Sequence, residues 1–466
     1  MIFGPILFLR AVHDAHVDLA ALSCRPTGEP AGTLETDTGV APARALMDVG
    51  GFTLWRHDFT LPTGGRPGYR FDGARHVVAT DYGDVRLGFV SCNGEEHGDL
   101  DRAPDERNVM WRRLAEAHAA SPYHVLLHGG DQVYADEATL GHRLSEGWPD
   151  AVPDAADPAA MEDLARHLRE RFFERYAATY AAPGFGPLAA EVPSLMMWDD
   201  HDICDGWGSL GAVEETAVGQ TLFAAAREAF LLYQHAAVAA DVPALFLDPS
   251  GRSLGWRRDL PGVSIVAPDL RSERTRTRVM GPEGWAAFER ACSDPAERVV
   301  IVSSVPLLGP RLSLIERAMR LTRRMERYED DLRDQWQSYA HRGEWTRMLR
   351  AVLDLEAAGH RVVALSGEIH LAMRAELRAD ATPMHQLVAS GITHRAPPKL
   401  WALALGTLAR LGEAPIPDHP IRIRPLPGQR YNYTAERNYL TLARAGAEWR
   451  AAWSLEDSGD TPWLTV

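Results

Sequence analysis

The sequence has little cysteine. Its 466 residues contain four cysteines with no CxxC spacing, namely Cys24, Cys92, Cys204 and Cys292. Four cysteines in so long a chain are too few for the disulfide framework that small secreted proteins use in place of a large core. We therefore expect a reducing compartment, and the cytoplasm is the default prediction.

The sequence also lacks a long apolar run. No window approaches the roughly 18 consecutive apolar residues of a membrane-spanning helix. The apolar stretch near the start, residues 2–9, is short and has no basic segment before it, so we expect no signal peptide. The sequence therefore predicts no membrane span.

Basic residues are in the minority. The chain has 49 Lys and Arg against 64 Asp and Glu, a formal net charge of −15. A protein that coats nucleic acid needs a basic face, so we do not expect that function. Small phosphate esters remain compatible with an acidic chain, because bound metal ions reverse the local charge of an acidic cleft.

The pattern of apolar residues in the sequence changes near residue 82. Residues 1–82 contain short, partly alternating apolar runs separated by turn signals, which predicts a small N-terminal β-sandwich. Residues 83–466 alternate apolar runs with helical periodicity, which predicts an α/β catalytic domain. The spacing of apolar residues predicts four helices. One ends at Ser121-Pro122, and the others cover 159–180, 212–238 and 343–358.

Two further segments are distinctive in composition. Residues 311–327 are rich in arginine at helical spacing, which is typical of a solvated helix with internal ion pairs but also fits a lid over an anionic substrate. Residues 411–430 are rich in proline and arginine, which predicts a surface loop.

Four apolar runs are each followed at once by residues that bind metals or move protons. In open α/β sheets, ligands bind beyond the carboxyl ends of the strands, so these four ends are expected to meet at one cleft. The four segments are Leu87-Gly88-Phe89-Val90 before Ser91-Cys92-Asn93, Val125-Leu126-Leu127 before His128-Gly129-Gly130-Asp131, Leu195-Met196-Met197-Trp198 before Asp199-Asp200-His201-Asp202, and Val362-Val363-Ala364-Leu365 before Ser366-Gly367-Glu368-Ile369-His370.

The types of ligand limit the chemistry. Several carboxylates with imidazoles suit two hard or borderline cations, and Asp131 in its glycine-rich turn is the candidate bridge. Tyr134, three residues later, would need a strongly Lewis-acidic ion to ionise at neutral pH, which favours iron(III). Cys92 as a thiolate would favour iron or zinc over magnesium. Two metals about 3.5–4 Å apart can activate a water and neutralise the oxygens of a phosphoryl displacement.

Two residues are expected to assist catalysis. His201 could protonate the leaving group. Arg271, in Asp269-Leu270-Arg271 after the apolar run 263–266, could grip a phosphate with its planar fork, although it could also simply pair with Asp269. His394, after the apolar run 386–389, is a further histidine at a predicted strand end.

Taken together, the motifs resemble those of the PhoD-like metallophosphatases, the alkaline phosphatase D family within the calcineurin-like metallophosphoesterases. The resemblance covers about residues 85–395 and rests on the order of the whole set. The motifs are Phe89-Val90-Ser91-Cys92, Gly130-Asp131-Gln132-Val133-Tyr134-Ala135-Asp136, Trp198-Asp199-Asp200-His201-Asp202, Asp269-Leu270-Arg271, Leu365-Ser366-Gly367-Glu368-Ile369-His370 and Ser390-Gly391-Ile392-Thr393-His394.

The resemblance implies a four-layer α/β/β/α sandwich preceded by a small β domain. It implies a phosphomonoesterase or phosphodiesterase that uses iron(III) with calcium, with zinc, manganese or magnesium as other possible ions. By matching motif, the iron side would be held by Cys92, Asp131, Tyr134 and Asp200, and the second side would face Glu368 and His370. Asp199 belongs to the same acidic block as Asp200, and His201 matches the catalytic histidine.

This chain departs from the family pattern at three points. Glu368 stands where aspartate is usual, Asp202 stands where glutamate is common, and we expect none of the export signal that many relatives carry. The sequence leaves two other functions open. One is a metal-dependent hydrolase of non-phosphate esters, and the other is a drifted protein that binds a phosphorylated ligand without turnover.

Overall fold

The computed structural model describes the following residues: 2–153, 157–310, 335–367, 369–378, 383–410 and 412–466. Within these residues the chain is a mixture of helices and strands, which confirms the predicted α/β class. None of the helices in these ranges is both long enough and apolar enough to cross a membrane.

The strands are numbered in chain order. They are β1 (Phe3–Val12), β2 (His16–Pro26), β3 (Leu34–Thr36), β4 (Gly39–Ala41), β5 (Ala43–Val49), β6 (Phe52–Pro62), β7 (Gly68–Phe71), β8 (Ala74–Val77), β9 (Arg86–Val90), β10 (Val125–Gly129), β11 (Ser194–Met197), β12 (Trp256–Leu260), β13 (Val263–Ala267), β14 (Arg298–Ser303), β15 (Arg361–Ser366), β16 (Ala372–Leu377), β17 (Met384–Val388), β18 (Ile421–Arg424), β19 (Tyr433–Thr434), β20 (Asn438–Ala445), β21 (Glu448–Leu455), β22 (Gly459–Asp460) and β23 (Leu464–Thr465).

The α-helices lie mainly between these strands. They are Pro104–Arg107, Val109–Ala120, Pro158–Tyr180, Phe185–Ala189, Ala217–Ala229, Val242–Leu245, Pro282–Ala291, Arg342–Ala357 and Lys399–Ala409, and the helix from Ala217 continues as a π-helical segment, Phe230–Gln234. The helices predicted at 159–180 and 343–358 and before Ser121 are confirmed. The one predicted over 212–238 starts later, because Thr216 caps its first turn by accepting a hydrogen bond from the Gly219 amide.

Helix Pro158–Tyr180 illustrates how local sequence sets these elements. Asp157 caps it by accepting a hydrogen bond from the Ala160 amide, and proline occupies its first position, where no amide is needed. Leu164, Leu168 and Phe172 follow at four-residue spacing and are fully buried. The helix therefore has one apolar stripe that packs into the core.

Two large sheets position the site. One has eleven strands in the order β22-β21-β20-β9-β10-β11-β1-β2-β6-β5 with β23 beside β21, and the other has eight in the order β12-β13-β14-β15-β17-β16-β18 with β19 beside β16. The strands β9, β10 and β11 are parallel in the first sheet, and β13, β14, β15 and β17 are parallel in the second.

The second sheet is buried on both faces. Val300 and Val302 of β14 belong to the apolar cluster that includes the core of the first sheet, whereas Val299 and Ile301 belong to a cluster with helices Pro282–Ala291 and Arg342–Ala357. Because side chains alternate along a strand, such a run of valine and isoleucine can fill two cores at once.

The N-terminal strands differ from the expectation of a separate sandwich. β1 pairs in parallel with β11 through Phe8 and Ser194, so β1, β2, β6 and β5 extend the large sheet. A small sheet, β4-β3-β7-β8, packs on this extension, with the rings of Phe59 and Tyr69 at 5.2 Å. These N-terminal strands thus belong to the same sheet as β9, β10 and β11, and the small β-sandwich stays a prediction. The boundary near residue 82 stays a prediction.

Two sequence predictions concern segments of special composition. The arginine-rich stretch 311–327 lies outside the described residues. The predicted surface loop 411–430 contains the short strand β18, which pairs with β16.

Candidate metal centre

The predicted cluster of strand ends is present in the structure. Cys92, Asp131 and Asp199 follow the parallel strands β9, β10 and β11 of one sheet. His370 and His394 follow β15 and β17 of the other. Because the carboxyl ends of parallel strands share one edge and the two sheets pack together, these side chains meet in a single region.

Asp131 lies at the centre of this region. Each of two groups has ligand atoms that all fall within 4.8 Å of one another: Cys92 with Asp131 and His370, and Asp131 with Asp199 and Asp200. Asp131 is the member common to both groups. Its carboxylate is therefore in the position that a bridge between two cations requires.

The backbone at the first group is unusual. Cys92, Asp131 and His370 have φ angles of 54°, 54° and 50°, in the left-handed region that side chains rarely adopt. Holding a residue there costs about 1–3 kcal/mol, and such residues concentrate at functional sites. All three members of one candidate metal group share this conformation, which indicates that the backbone is shaped to aim these side chains.

Gly130 allows the loops to approach each other. Its φ is 99°, and a Cβ atom added there would lie 2.7 Å from the Cβ of Asp199. Any side chain at position 130 would therefore push the Asp199 loop away from Asp131.

The Asp131 carboxyl is poorly satisfied by the protein itself. Asp131 is 1% exposed, its Oδ2 accepts from the Cys92 thiol at 3.3 Å, and within the described residues its buried Oδ1 has no hydrogen-bond partner. Burial raises the pKa of Asp131 well above its usual range, and Asp199 and Asp200 add to the rise against the opposing effect of His201. A bound cation would satisfy the orphaned oxygen and reverse this shift, so the donor set fits a metal.

Tyr134 faces the first group. Its phenol oxygen lies 2.9 Å from Nε2 of His370, and its ring stacks on that of His201 with the centroids 4.2 Å apart. Burial raises the pKa of Tyr134 well above 10, and the nearby Cys92 and Asp131 raise it further. Without a cation the phenol is therefore neutral.

His201 is held by Asp136, a residue of the motif 130–136 to which the sequence analysis assigned no role. Its Nδ1 lies 3.0 and 3.1 Å from the two oxygens of Asp136. Burial lowers the pKa of His201, but Asp136 and Asp200 outweigh this effect and raise it well above 6.5. The contact with Asp136 therefore favours the protonated imidazole.

Arg271 lies beside the acidic residues of the second group, and its expected role in gripping a phosphate stays a prediction. Its side chain is fully buried and pairs with Asp199 through Nε, and its Nη2 lies 3.4 Å from Oδ1 of Asp200. Its Nη1 donates to the carbonyl of Trp207 at 3.1 Å. The guanidinium therefore contacts the acidic loop, and the backbone amide of Arg271 donates to Oδ1 of Asp269 at 3.0 Å.

Asp202 connects two of the loops. It accepts hydrogen bonds from the amides of Gln132 at 3.0 Å and of Asp199 at 2.9 Å. Burial raises its pKa to about 7, although these amides oppose the rise. Asp202 thus fastens the Asp131 turn to the Asp199 loop, a role for which its short side chain is sufficient.

Sequence reasoning missed Ser304. Its hydroxyl donates to Oδ1 of Asp199 at 2.8 Å, beside the Arg271 contact. The available signal was the apolar run 299–302, which ends in Ser303-Ser304 in the same way as the other strand ends. Serine after a strand is too common to be singled out without the fold.

The predicted ligands lie in two overlapping groups, and their assignment to the two metals stays a prediction. His370 lies with Cys92 and Asp131, whereas Asp200 lies with Asp199 and Asp131. His394 stacks on His370 with the ring centroids 3.4 Å apart, so it closes the first group from outside. Glu368 lies outside the described residues.

Comparison with known proteins identifies the family. The family model of the PhoD-related phosphatases matches residues 90–328, just over half of the chain, and the chain therefore belongs to this family. The match contains Cys92, Asp131 and Asp199 and ends before His370. The predicted family is thus confirmed.

Other relatives are distant. An uncharacterized protein of Saccharomyces cerevisiae is 22% identical over an alignment of 345 residues, and the match covers 60% of this chain and 49% of the yeast protein. The chain thus spans about half the length of that relative. The solved structure of PhoD matches all of this chain and 89% of its own, with 14% identity and a TM-score of 0.57, which shows a shared fold. GAP50, the anchor in the inner membrane complex of Plasmodium, matches 82% of this chain and 88% of its own at 9% identity and a TM-score of 0.39.

Proposed function

We propose that the protein is a metal-dependent phosphoester hydrolase, acting on phosphomonoesters or phosphodiesters, with a dinuclear centre bridged by Asp131. The observation that carries this proposal is the shared position of Asp131 in two groups of ligand atoms, one with Cys92 and His370 and one with Asp199 and Asp200. Membership of a phosphatase family supports the phosphoester substrate.

The two groups differ in chemistry. Cys92 and Tyr134 offer soft and phenolic donors suited to iron(III), and the three carboxylates of Asp131, Asp199 and Asp200 suit a hard cation such as calcium. Zinc, manganese or magnesium would also accept parts of this set. When bound, the metals would supply an activated water and neutralise the oxygens of the phosphoryl group.

The remaining roles belong to side chains of the chain itself. His201, oriented by Asp136, would give its proton to the departing alcohol oxygen. Arg271 and Ser304 would hold the Asp199 carboxylate in one rotamer, so that the acidic group is preorganised. Arg271 is thus proposed as a positioning residue.

The proposal includes the four-layer α/β/β/α sandwich that the family resemblance implies. The alternate faces of β14 pack into two separate apolar clusters, one of which contains helices Pro282–Ala291 and Arg342–Ala357. This arrangement supports a four-layer α/β/β/α sandwich over residues 83–466.

The test uses the full chain, stripped of metal by a chelator and reloaded with one or two defined ions. We expect hydrolysis of p-nitrophenyl phosphate or bis-p-nitrophenyl phosphate, little hydrolysis of p-nitrophenyl acetate, and loss of activity on chelation. Asp131→Asn should lower the rate at least about 10³-fold and reduce bound metal. Asp294→Asn is the matched control, since Asp294 has a φ of 50° in an exposed turn away from the site.

Each contrary result has a clear meaning. Cleavage of the carboxyl ester alone would assign the site to a different hydrolase. Binding of phosphate and metals without turnover under any metal regime would assign the chain to a drifted ligand-binding protein.

A further inference from the structure

The helix Lys399–Ala409 is apolar on the side that faces away from the protein. Its sequence, KLWALALGTLA, packs on the core through Ala402, Leu405 and Ala409. Leu400, Trp401 and Leu403 are exposed by 77%, 51% and 42%. Large apolar side chains clustered on a surface mark an interaction site, whereas single ones are ordinary.

The helix lies beside the candidate metal centre. It begins five residues after His394, so its first residue lies within about 18 Å of His394. It also packs on β19, which pairs with the start of β16 through Ala372 and Thr434. Because β16 starts two residues after His370, both connections place the helix at the rim of the site.

A basic cavity adjoins the end of this helix. It has a volume of about 520 Å³, and Arg410, Arg422 and Arg424 line it. Glu413 also lines it but pairs with Arg342 at 3.5 Å, and Arg424 pairs with Glu376 at 3.3 Å. Across the described part of the chain, neither Arg410 nor Arg422 forms an ion pair.

Apolar and basic features thus lie together on a chain whose net charge is −15. We propose that this surface, helix Lys399–Ala409 with the cavity of Arg410 and Arg422, docks the protein on a lipid bilayer that carries anionic headgroups. The surface is called the docking helix and its cavity below.

The physical argument favours a bilayer as the occupant. Eleven helical residues are about 16 Å long, too short to span a bilayer but sufficient to lie in its interface. Leucine and tryptophan would enter the boundary between headgroups and acyl chains, where tryptophan is favoured. Lys399 and Arg410 flank the apolar face, and together with Arg422 they would meet anionic headgroups at the same level.

Vesicle flotation of the full chain tests this proposal without any turnover, so its outcome is independent of the proposed hydrolase activity. The probes are vesicles of phosphatidylcholine with about 30% phosphatidylserine and vesicles of phosphatidylcholine alone. We expect the protein to float with the anionic vesicles, and binding to fall several-fold when salt is raised, because the Debye length shortens from about 10 Å at 0.1 M.

Variants separate the two parts of the surface. Trp401→Asp should weaken binding to anionic vesicles at least tenfold, and Arg422→Glu should weaken it several-fold. Trp463→Asp is the matched control, since Trp463 is 46% exposed elsewhere on the chain. Thermal unfolding and activity on a small soluble ester should be unchanged in all three variants.

Three results would overturn the proposal. The first is no binding to either vesicle, and the second is equal binding by wild type and Trp401→Asp. The third is a homodimer, detected by light scattering, that becomes monomeric in Trp401→Asp while no wild-type protein floats with the vesicles. That result would assign the surface to a second copy of the chain.

Discussion

The phenol oxygen of Tyr134 lies 2.9 Å from Nε2 of His370, although 236 residues separate the two in the chain. Tyr134 follows a strand of the eleven-stranded sheet, and His370 follows a strand of the eight-stranded sheet. This contact therefore joins the two sheets at the point where Cys92 and Asp131 also meet.

Replacing Tyr134 by phenylalanine tests the iron assignment. The substitution removes the oxygen but keeps the ring that stacks on His201. We expect protein loaded with iron(III) to lose a visible phenolate-to-iron absorption band, and its iron affinity to fall at least about tenfold. Tyr431→Phe is the control, since Tyr431 is 52% exposed. A colourless, zinc-only enzyme with full activity would refute the iron assignment and leave the phosphoester proposal intact.

Asp136→Asn tests the positioning of His201. Asparagine retains an oxygen that can accept from the Asp205 amide, but it removes the charge beside the imidazole. We expect kcat on bis-p-nitrophenyl phosphate to fall about 10²-fold with little change in KM, because proton donation is impaired while binding is not. Bound metal, measured by elemental analysis, should stay unchanged. A parallel loss of metal would show that Asp136 acts on the centre itself.

Arg271→Met distinguishes a positioning role from a substrate-binding role. The variant leaves the buried Asp199 carboxylate without its ion pair, so urea unfolding of the chelated protein should show a loss of about 3–5 kcal/mol in the free energy of unfolding. Arg252→Met, at a side chain that is 73% exposed, should change it by less than about 0.5 kcal/mol. An unchanged stability together with a raised KM would restore the role expected from the sequence.

Glu106 predicts how stability depends on pH. It pairs with Arg102, Arg395 and Arg437 at 3.0–3.1 Å and so ties the loop after His394 to the segment after Cys92. Burial raises the pKa of Glu106, but these guanidinium groups outweigh it and lower the pKa below its ordinary value. The stabilisation is therefore present above the unfolded pKa of about 4.3 and is lost as the pH falls through the lower folded pKa.

The measurement compares the free energy of unfolding of Glu106→Gln with that of wild type, by urea titration at several pH values. Because the side chain is 36% exposed, solvent screening limits the expected loss at pH 7 to about 0.5–1 kcal/mol. The difference should shrink as the pH falls below the unfolded pKa of about 4.3, and it should vanish once the pH lies below the lowered pKa of folded Glu106. Glu162→Gln, at an exposed helix position, should show a difference that does not vary with pH. A pH-independent loss in Glu106→Gln would mean that packing rather than charge is responsible.

Much of the candidate site could be predicted from the sequence, because each strand and the residues directly after it form a short local pattern. The runs before Cys92, Asp131, Asp199 and His370 became β9, β10, β11 and β15. The contacts of Arg271 with Asp199 and Asp200 could not be predicted, because a motif shows the residue type but not the direction in which a long side chain points. The N-terminal strands were read as a separate unit, because alternation predicts a strand without naming its neighbour.

The sequence by itself determined which candidate metal ligands follow a buried strand, since that depends on short apolar runs and on the residues that come directly after them. Tertiary structure alone decided how those ligands are grouped. It placed His370 with Cys92 and turned Arg271 onto Asp199, although 278 and 72 positions separate these pairs in the sequence. Such distances follow from the packing of two sheets against each other, and no local pattern in the chain records that packing.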